Sequence, residues 1–235
     1  TLANADTEEA FLLANETHSR GIARIEEAER QAVQAQLNNK NDPKLRKDHK
    51  ELAKELTKTV NQYKYKVEHA TRRETEAVRS VKRLANNPEL DDIFERLSKN
   101  LRDHARQAEA IIEETLVLIA KSAGVSVPVQ LEESEAEREA KKIIPKRLFK
   151  GTLSLETLKL LLGEEEYNWY QEQLEKDSDF DKKMAEIINL MNGKRTLHEI
   201  LRAVSAESTE ITAEKGLKIL RDFEKTKLAI RQDTP

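Results

Sequence analysis

At 235 residues the chain has room for one large domain or two small ones, and 36% of it is charged while only 4% is aromatic. With six glycines and five prolines, that balance argues against β-sandwiches and barrels, which need turn residues and β-branched runs, and favours all-α structure with long helices over a thick core. The net charge is only −3, from cations and anions interleaved along the helices. Interleaving of that kind is a solvated face carrying i,i+4 pairs, not a bulk attractant for nucleic acid or lipid.

The first helix is expected to start at Asp6, with Glu9 three residues on in a capping-box arrangement, and to run to about Leu37. Phe11, Ala14, His18, Ile22, Ile25, Ala32 and Leu37 lie mostly on one side of it. Asn38-Asn39-Lys40-Asn41-Asp42-Pro43 then breaks the pattern, with Asp42 as N-cap and Pro43 at the first helical position of the next helix.

Lys44 to Ala85 reads as one uninterrupted coiled-coil helix, roughly 60 Å long at about 1.5 Å per residue. Its seam is Leu45, His49, Leu52, Leu56, Val60, Tyr63, Val67 and Ala70, then a charged slot at Glu74, then Ala77, Val81 and Leu84. Asn86-Asn87-Pro88 repeats the cap-then-proline signature. The third helix follows with Leu90, Phe94, Leu97, Leu101, Ala105, Ala108, Ile112, Leu116 and Ile119, and ends at Gly124. Three long helices joined by short turns bury their stripes only by folding back on one another, which predicts an antiparallel three-helix coiled-coil bundle over residues 1–123.

Residues 124–153 read as a linker: an extended Val125 to Val129, an acidic run Glu132 to Glu139 winding a short helix up to Ile144, and a basic loop Pro145 to Gly151. Residues 154–235 read as a small helical, winged-helix-like domain. Ser154 caps Leu155 to Leu162, which Gly163 terminates. Tyr167, Trp169, Tyr170 and Leu174 lie on the next helix and are expected in the core. Phe180, Met184, Ile187, Ile188 and Met191 form a helix closed by Asn192-Gly193. Thr196 and Glu199 make a capping box for a second, with Ile200, Leu201 and Val204. Thr212 caps a third, with Leu217, Ile219, Leu220 and Phe223. Leu228, Ile230 and Gln232 alternate like a terminal strand.

No catalytic or metal-binding residues are assigned. The absence of cysteine removes disulfide and thiolate chemistry. His18, His49, His69, His104 and His198 form no His-x-x-x-His pair on one helical face, and His18, His49 and His104 are expected to be polar seam residues that set register. There is no Gly-rich phosphate loop and no nucleophile elbow. No apolar run reaches the ~18 residues of a membrane span, and a basic-then-apolar signal layout is missing, so a soluble chain is expected. Its start at Thr1, just ahead of a helix, suggests a piece of a longer protein.

Two kinds of binding surface are candidates. Tyr63, Tyr65, Ile111 and Val117 are apolar positions beyond those a three-helix bundle needs, and are expected either to widen its core or to form a strip for a protein partner or a second copy. Lys215, Lys218 and Arg221, with Lys225 and Arg231, are weak nucleic-acid candidates on the last helix, interspersed with Glu214, Asp222 and Glu224; appreciable nucleic-acid binding is not expected.

Leu2-Ala3-Asn4-Ala5, Glu8 to Leu13 and Ser19 to Ile25 resemble the segment that follows the catalytic domain in some bacterial di-zinc aminopeptidases. Ile144-Pro145-Lys146-Arg147 and Gly151-Thr152-Leu153-Ser154 resemble their C-terminal extension. The resemblance touches about a fifth of the chain and implies a non-catalytic accessory region of a peptidase, a hydrolase whose zinc would sit in a separate catalytic domain; the zinc ligands have no matching positions here, so no cofactor is expected in this chain. Leu190 to Ile200 is similar to the opening of winged-helix peptide-binding modules related to the pyrroloquinoline-quinone peptide chaperone, although their preceding hairpin is not evident. The alternative is a free-standing adaptor or regulator whose winged-helix-like domain binds protein, peptide or DNA.

Overall fold

The computed structural model describes residues 2–84 and 87–233, apart from the side chains of 2–6, Glu89 and Asp233. The described residues are predominantly helical and divide into two compact units, 1–131 and 132–235. The first is a bundle of three long helices, α1 (Leu2–Asn41), α2 (His49–Val81) and α3 (Pro88–Ala123). The all-α expectation holds, and so does the bundle.

The boundaries depart from expectation where two capping residues compete. Asp42 does cap, accepting from the amides of Lys44 (2.7 Å) and Leu45 (3.4 Å), but what it caps is a single 3-10 turn, Leu45–Lys47. Asp48 has extended backbone and accepts from the amides of Lys50 and Glu51, both at 3.0 Å. It therefore restarts the chain as α2 five residues later than expected, and His49 is left exposed at the helix start rather than in the seam. At the other end α1 is already helical at Leu2, so Asp6 lies inside the helix. The side chain of Asp6, together with Ala85 and Asn86 of the second reversal, falls outside the described residues.

The buried face of α1 is also not the one its bulky residues suggest. Ala10, Ala14, Thr17, Gly21, Ile25, Ala28, Ala32 and Gln36 line it, at steps of three and four, while Phe11 and Leu37 are exposed. Small side chains let α2 and α3 approach closely, and the larger residues are displaced to the flanks. Gly21 is the tightest point: a Cβ there would sit 2.6 Å from Leu101 Cδ2 and 3.0 Å from Glu74 Cβ. Beside it the Glu74 carboxylate, its side chain 1% exposed, is clasped by Arg20 (Nη2 at 3.1 Å, Nε at 3.2 Å) and by Arg24. The charged slot in the α2 seam is thus filled from α1, one turn of which carries both guanidiniums with Gly21 between them. Lower in the bundle, Gln36 donates to the Ile112 carbonyl (3.3 Å), and the Val129 amide donates to Thr57 Oγ1 (3.1 Å).

In the second unit, α4 (Glu135–Lys142) opens on a capping box between Ser134 and Glu137 and runs into strand β1 (Ile143–Arg147). Of the residues read as linker and basic loop, 132–153 are thus part of this unit and 124–131 belong to the first. Five helices follow: α5 (Leu155–Leu162), α6 (Glu164–Lys176), α7 (Phe180–Leu190), α8 (Leu197–Glu207) and α9 (Ala213–Lys225). Their starts match the expected caps at Ser154, Thr196 and Thr212, each of which accepts a backbone amide. Strand β2 (Ala229–Asp233) closes the chain. It pairs antiparallel with β1, Ile143 opposite Asp233 and Arg147 opposite Ala229. β2 follows α9 as a wing strand would, but its mate precedes the helices instead of forming a hairpin with it. The other edge of β1 holds the α7–α8 turn through Arg147 N to Met191 O (2.9 Å) and Gly193 N to Pro145 O (3.1 Å). Ala229 faces the core and Ile230 faces out. Tyr170, Phe180, Ile187, Met191, Ile200 and Phe223 are central to this core.

Gly21→Leu is expected to abolish the native bundle, and Gly21→Ala to lower its stability by up to about 2 kcal/mol, the overpacking cost of ~1–3 less the ~1 gained in helix propensity. Far-UV circular dichroism melts of the full chain measure both; a melting temperature raised in Gly21→Ala, as helix propensity alone would give, would contradict the close approach.

Candidate functional site

The four apolar candidates separate into two groups. Tyr63 is half-buried and packs on the bundle core, with the Lys66 ammonium 5.0 Å from its ring centroid; burial raises the phenol's pKa and lowers that of Lys66. Tyr65 is also half-buried, its ring 6.1 Å from that of His69. Neither is a free surface residue. Ile111 and Val117, by contrast, are 41% and 60% exposed, and Leu118, which the heptad reading passed over, is 68% exposed. All three lie on the outer side of the C-terminal half of α3. The inner side of the same turns, Ile112, Leu116 and Ile119, is buried in the bundle. Lys64 of α2 pairs with Glu113 of α3, which raises the lysine pKa and ties the two helices together between Tyr63 and Tyr65 on one side and Val117 on the other. Glu114 and Lys121 flank the exposed residues and, among the described residues, have no hydrogen-bond or ion-pair partner.

The cationic candidates of α9 are engaged within their own unit. Lys215 Nζ lies 5.9 Å from the Phe180 ring centroid. Lys218 Nζ bonds both oxygens of Asp222, at 2.7 and 2.6 Å, and sits over the rings of Trp169 (5.4 Å) and Tyr170 (5.9 Å). Arg221 bonds Glu139 (3.0 and 3.3 Å), Lys225 pairs with Glu166, and Arg231 with Glu224. Counterion release on a polyanion scales with the number of phosphates neutralised by cations, and each of these would first have to leave a carboxylate or a ring. Asp222 is the hub: buried, it also accepts the Tyr170 hydroxyl at 2.8 Å. Desolvation, reinforced by the neighbouring carboxylate, pushes that phenol far above its ordinary range, so Tyr170 is a permanent donor. The sequence showed Lys218 and Asp222 at i,i+4; nothing in it showed that Tyr170 closes the cluster from α6.

A buried ammonium, Lys183 of α7, is paired with Asp177 and bonded to Thr209, joining the loops that precede α7 and α9. The histidines do not converge. His18 Nε2 and Asn100 Oδ1 lie 2.7 Å apart, and His104 Nδ1 lies 3.2 Å from the Asn100 carbonyl, so these two bracket one asparagine at the α1–α3 flank. Among the described residues no group of three His, Asp or Glu side chains could hold a metal ion, and no helix is long and apolar enough to cross a membrane. No protein-family model, curated protein or solved structure matches this chain.

His198, in the first turn of α8, has its pKa lowered by burial and then by Lys141 and Arg202, with Glu137 and Glu133 acting weakly the other way. The unfolded imidazole, near 6.5, binds its proton first as pH falls, so stability present above that value is lost on acidification through it. Melting curves between about pH 7 and pH 5 are therefore expected to shift less in His198→Gln than in the wild type; equal shifts would contradict this environment for the ring.

Proposed function

We propose that this chain is a non-catalytic interaction region, in which the bundle presents α3 to a protein partner or a second copy. The observation that carries the reading is the exposed row Ile111, Val117 and Leu118 on a helix whose opposite face already fills the bundle core. Single exposed leucines are ordinary on protein surfaces, but three apolar side chains within about two turns of one helix face form a patch that water solvates poorly. The resemblance of Leu2 to Ile25 and of Ile144 to Ser154 to segments of di-zinc aminopeptidases supports the narrower form: an accessory part of a peptidase that positions a partner, an oligomer mate or a substrate beside a zinc-bearing catalytic domain. The winged-helix-like reading of the second unit is supported by the three helices α7 to α9 followed by β2. In this reading α9 helps hold the unit together, since its cations are neutralised internally.

The chain lacks cysteine, so single engineered thiols report one position each. In dilute protein, Val117→Cys is expected to react with a maleimide about as fast as the exposed Lys99→Cys, and at least about tenfold faster than the buried Ala108→Cys, which reacts only through local opening. The chain with added zinc is expected to release no product from chromogenic aminoacyl substrates. Slow labelling at Val117→Cys, or zinc-dependent release lost in His198→Ala, would overturn the reading.

A further inference from the structure

The outer face of α3 carries a charge pattern that is complementary to itself. Val117 and Leu118 are its most exposed apolar side chains. Glu114 lies one turn before them and Lys121 one turn after, both exposed and, among the described residues, without a partner. If a second α3 is laid antiparallel along this face with a two-fold axis midway between positions 117 and 118, then 117 faces 118, 114 faces 121 and 111 faces 124. Each helix thereby meets its copy with the same residues, as a two-fold interface requires. The two valine–leucine contacts sit at the centre. Glu114 of each copy falls opposite Lys121 of the other, giving two symmetric ion pairs at the rim, one pair about 10 Å from the other along the helix at 1.5 Å per residue. Ile111, 41% exposed, comes to Gly124, where no atom lies within 4 Å of the position a Cβ would take, so the isoleucine has an open seat.

We propose that the chain self-associates as an antiparallel two-fold dimer through this face of α3, centred on Val117 and Leu118 and registered by Glu114 and Lys121 of opposite copies. The inference rests on the interaction-region reading and deepens it by naming a second copy as the occupant. Other registers do less well: moving the axis onto Glu114 sets the two Glu114 carboxylates against each other, which costs affinity as like charges do across an interface. The neighbouring Glu113 is held by Lys64 of its own chain and does not compete for Lys121. Rim ion pairs fix register and partner choice more than they add affinity. The dimer is therefore weak and salt-sensitive.

The test is sedimentation velocity of the full chain, 27.0 kDa as a monomer, with its single and paired charge variants. The wild type is expected to show a concentration-dependent dimer. Glu114→Lys alone and Lys121→Glu alone each place like charges opposite at both rims and are expected to raise the dissociation constant by at least about tenfold. Combining them restores opposite charges in exchanged order and is expected to return the constant to within about threefold of wild type. Circular dichroism checks that each variant remains helical; since Lys121→Glu puts an anion in the last helical turn, Lys121→Gln, with a smaller loss of dimer, serves as the second variant there. A wild type that stays monomeric at every concentration, single reversals without effect, or a double reversal that remains monomeric while helical would overturn the proposal. Fast labelling of Val117→Cys alongside any of these leaves the broader reading standing, so the two failures are distinguishable.

Discussion

The bundle depends on one buried charge. Glu74 sits in the seam of α2 where an apolar residue would be expected, and its carboxylate, 1% exposed, is neutralised by Arg20 and Arg24 from the facing helix. Desolvating a carboxylate costs several kcal/mol, and only close cations with hydrogen-bonding geometry offset it. The two arginines remain about half exposed, so their own desolvation is slight. Gly21 between them removes the side chain that would hold the helices apart, with Leu101 of α3 closing on the same point. Sliding α1 by one turn in either direction would take a guanidinium away from the carboxylate and push a larger residue into Leu101. A polar seam position of this kind specifies register more than it adds stability.

The second unit uses the same device with different groups. Asp222 is buried, and is satisfied by the Tyr170 hydroxyl and by Lys218, whose ammonium lies over Trp169 and Tyr170. Gly216 marks the close approach of α9 to α8, where a Cβ would meet Leu201 at 2.5 Å. In both units a buried carboxylate is held by cations of its own unit: Glu74 by Arg20 and Arg24, and Asp222, which reads as a surface residue in the sequence, by Lys218, which reads as available for a ligand.

That inversion explains what was legible and what was not. Helix type, number and most starts could be read because capping is local: Ser154, Thr196 and Thr212 each satisfy an amide three residues away, and the spacing of Leu52, Leu56, Val60 and Val67 is intrinsic to one helix. The buried face of α1 could not, because Ala10, Ala14, Gly21 and Ala28 are chosen by how near the neighbouring helices come, while hydropathy alone ranks Phe11 and Leu37 above them. The pairing of β1 with β2 spans most of the second unit, and Pro145 disguised β1 as a loop; its proline needs no ladder amide at that point, but its neighbours Ile144 and Lys146 do. On α3, Val117 was expected either to widen the core or to join a surface strip, and it is exposed, as is Leu118, which the heptad pattern passes over. Tyr63 and Tyr65, anticipated with them, are half-buried on α2.

With the inner faces of the three helices committed to the register set at Glu74, what the bundle has left for recognition is its outer side, where large apolar side chains are exposed on α3 (Ile111, Val117, Leu118) and on α1 (Phe11, Leu12, Leu13). The central claim is that Glu74 is a buried charge held by α1, and a thermodynamic cycle tests it most directly. Urea unfolding of the full chain, followed by hydrogen exchange at α1 and α2 amides, is to be measured for Arg20→Met with Arg24→Met, for Glu74→Leu, and for all three together. The account predicts a loss of about 3 kcal/mol on removing both arginines, because the carboxylate is left buried without a partner, and recovery of most of that loss when Glu74→Leu is added. A loss below about 0.5 kcal/mol on removing the arginines, as for solvent-exposed ion pairs, would contradict it.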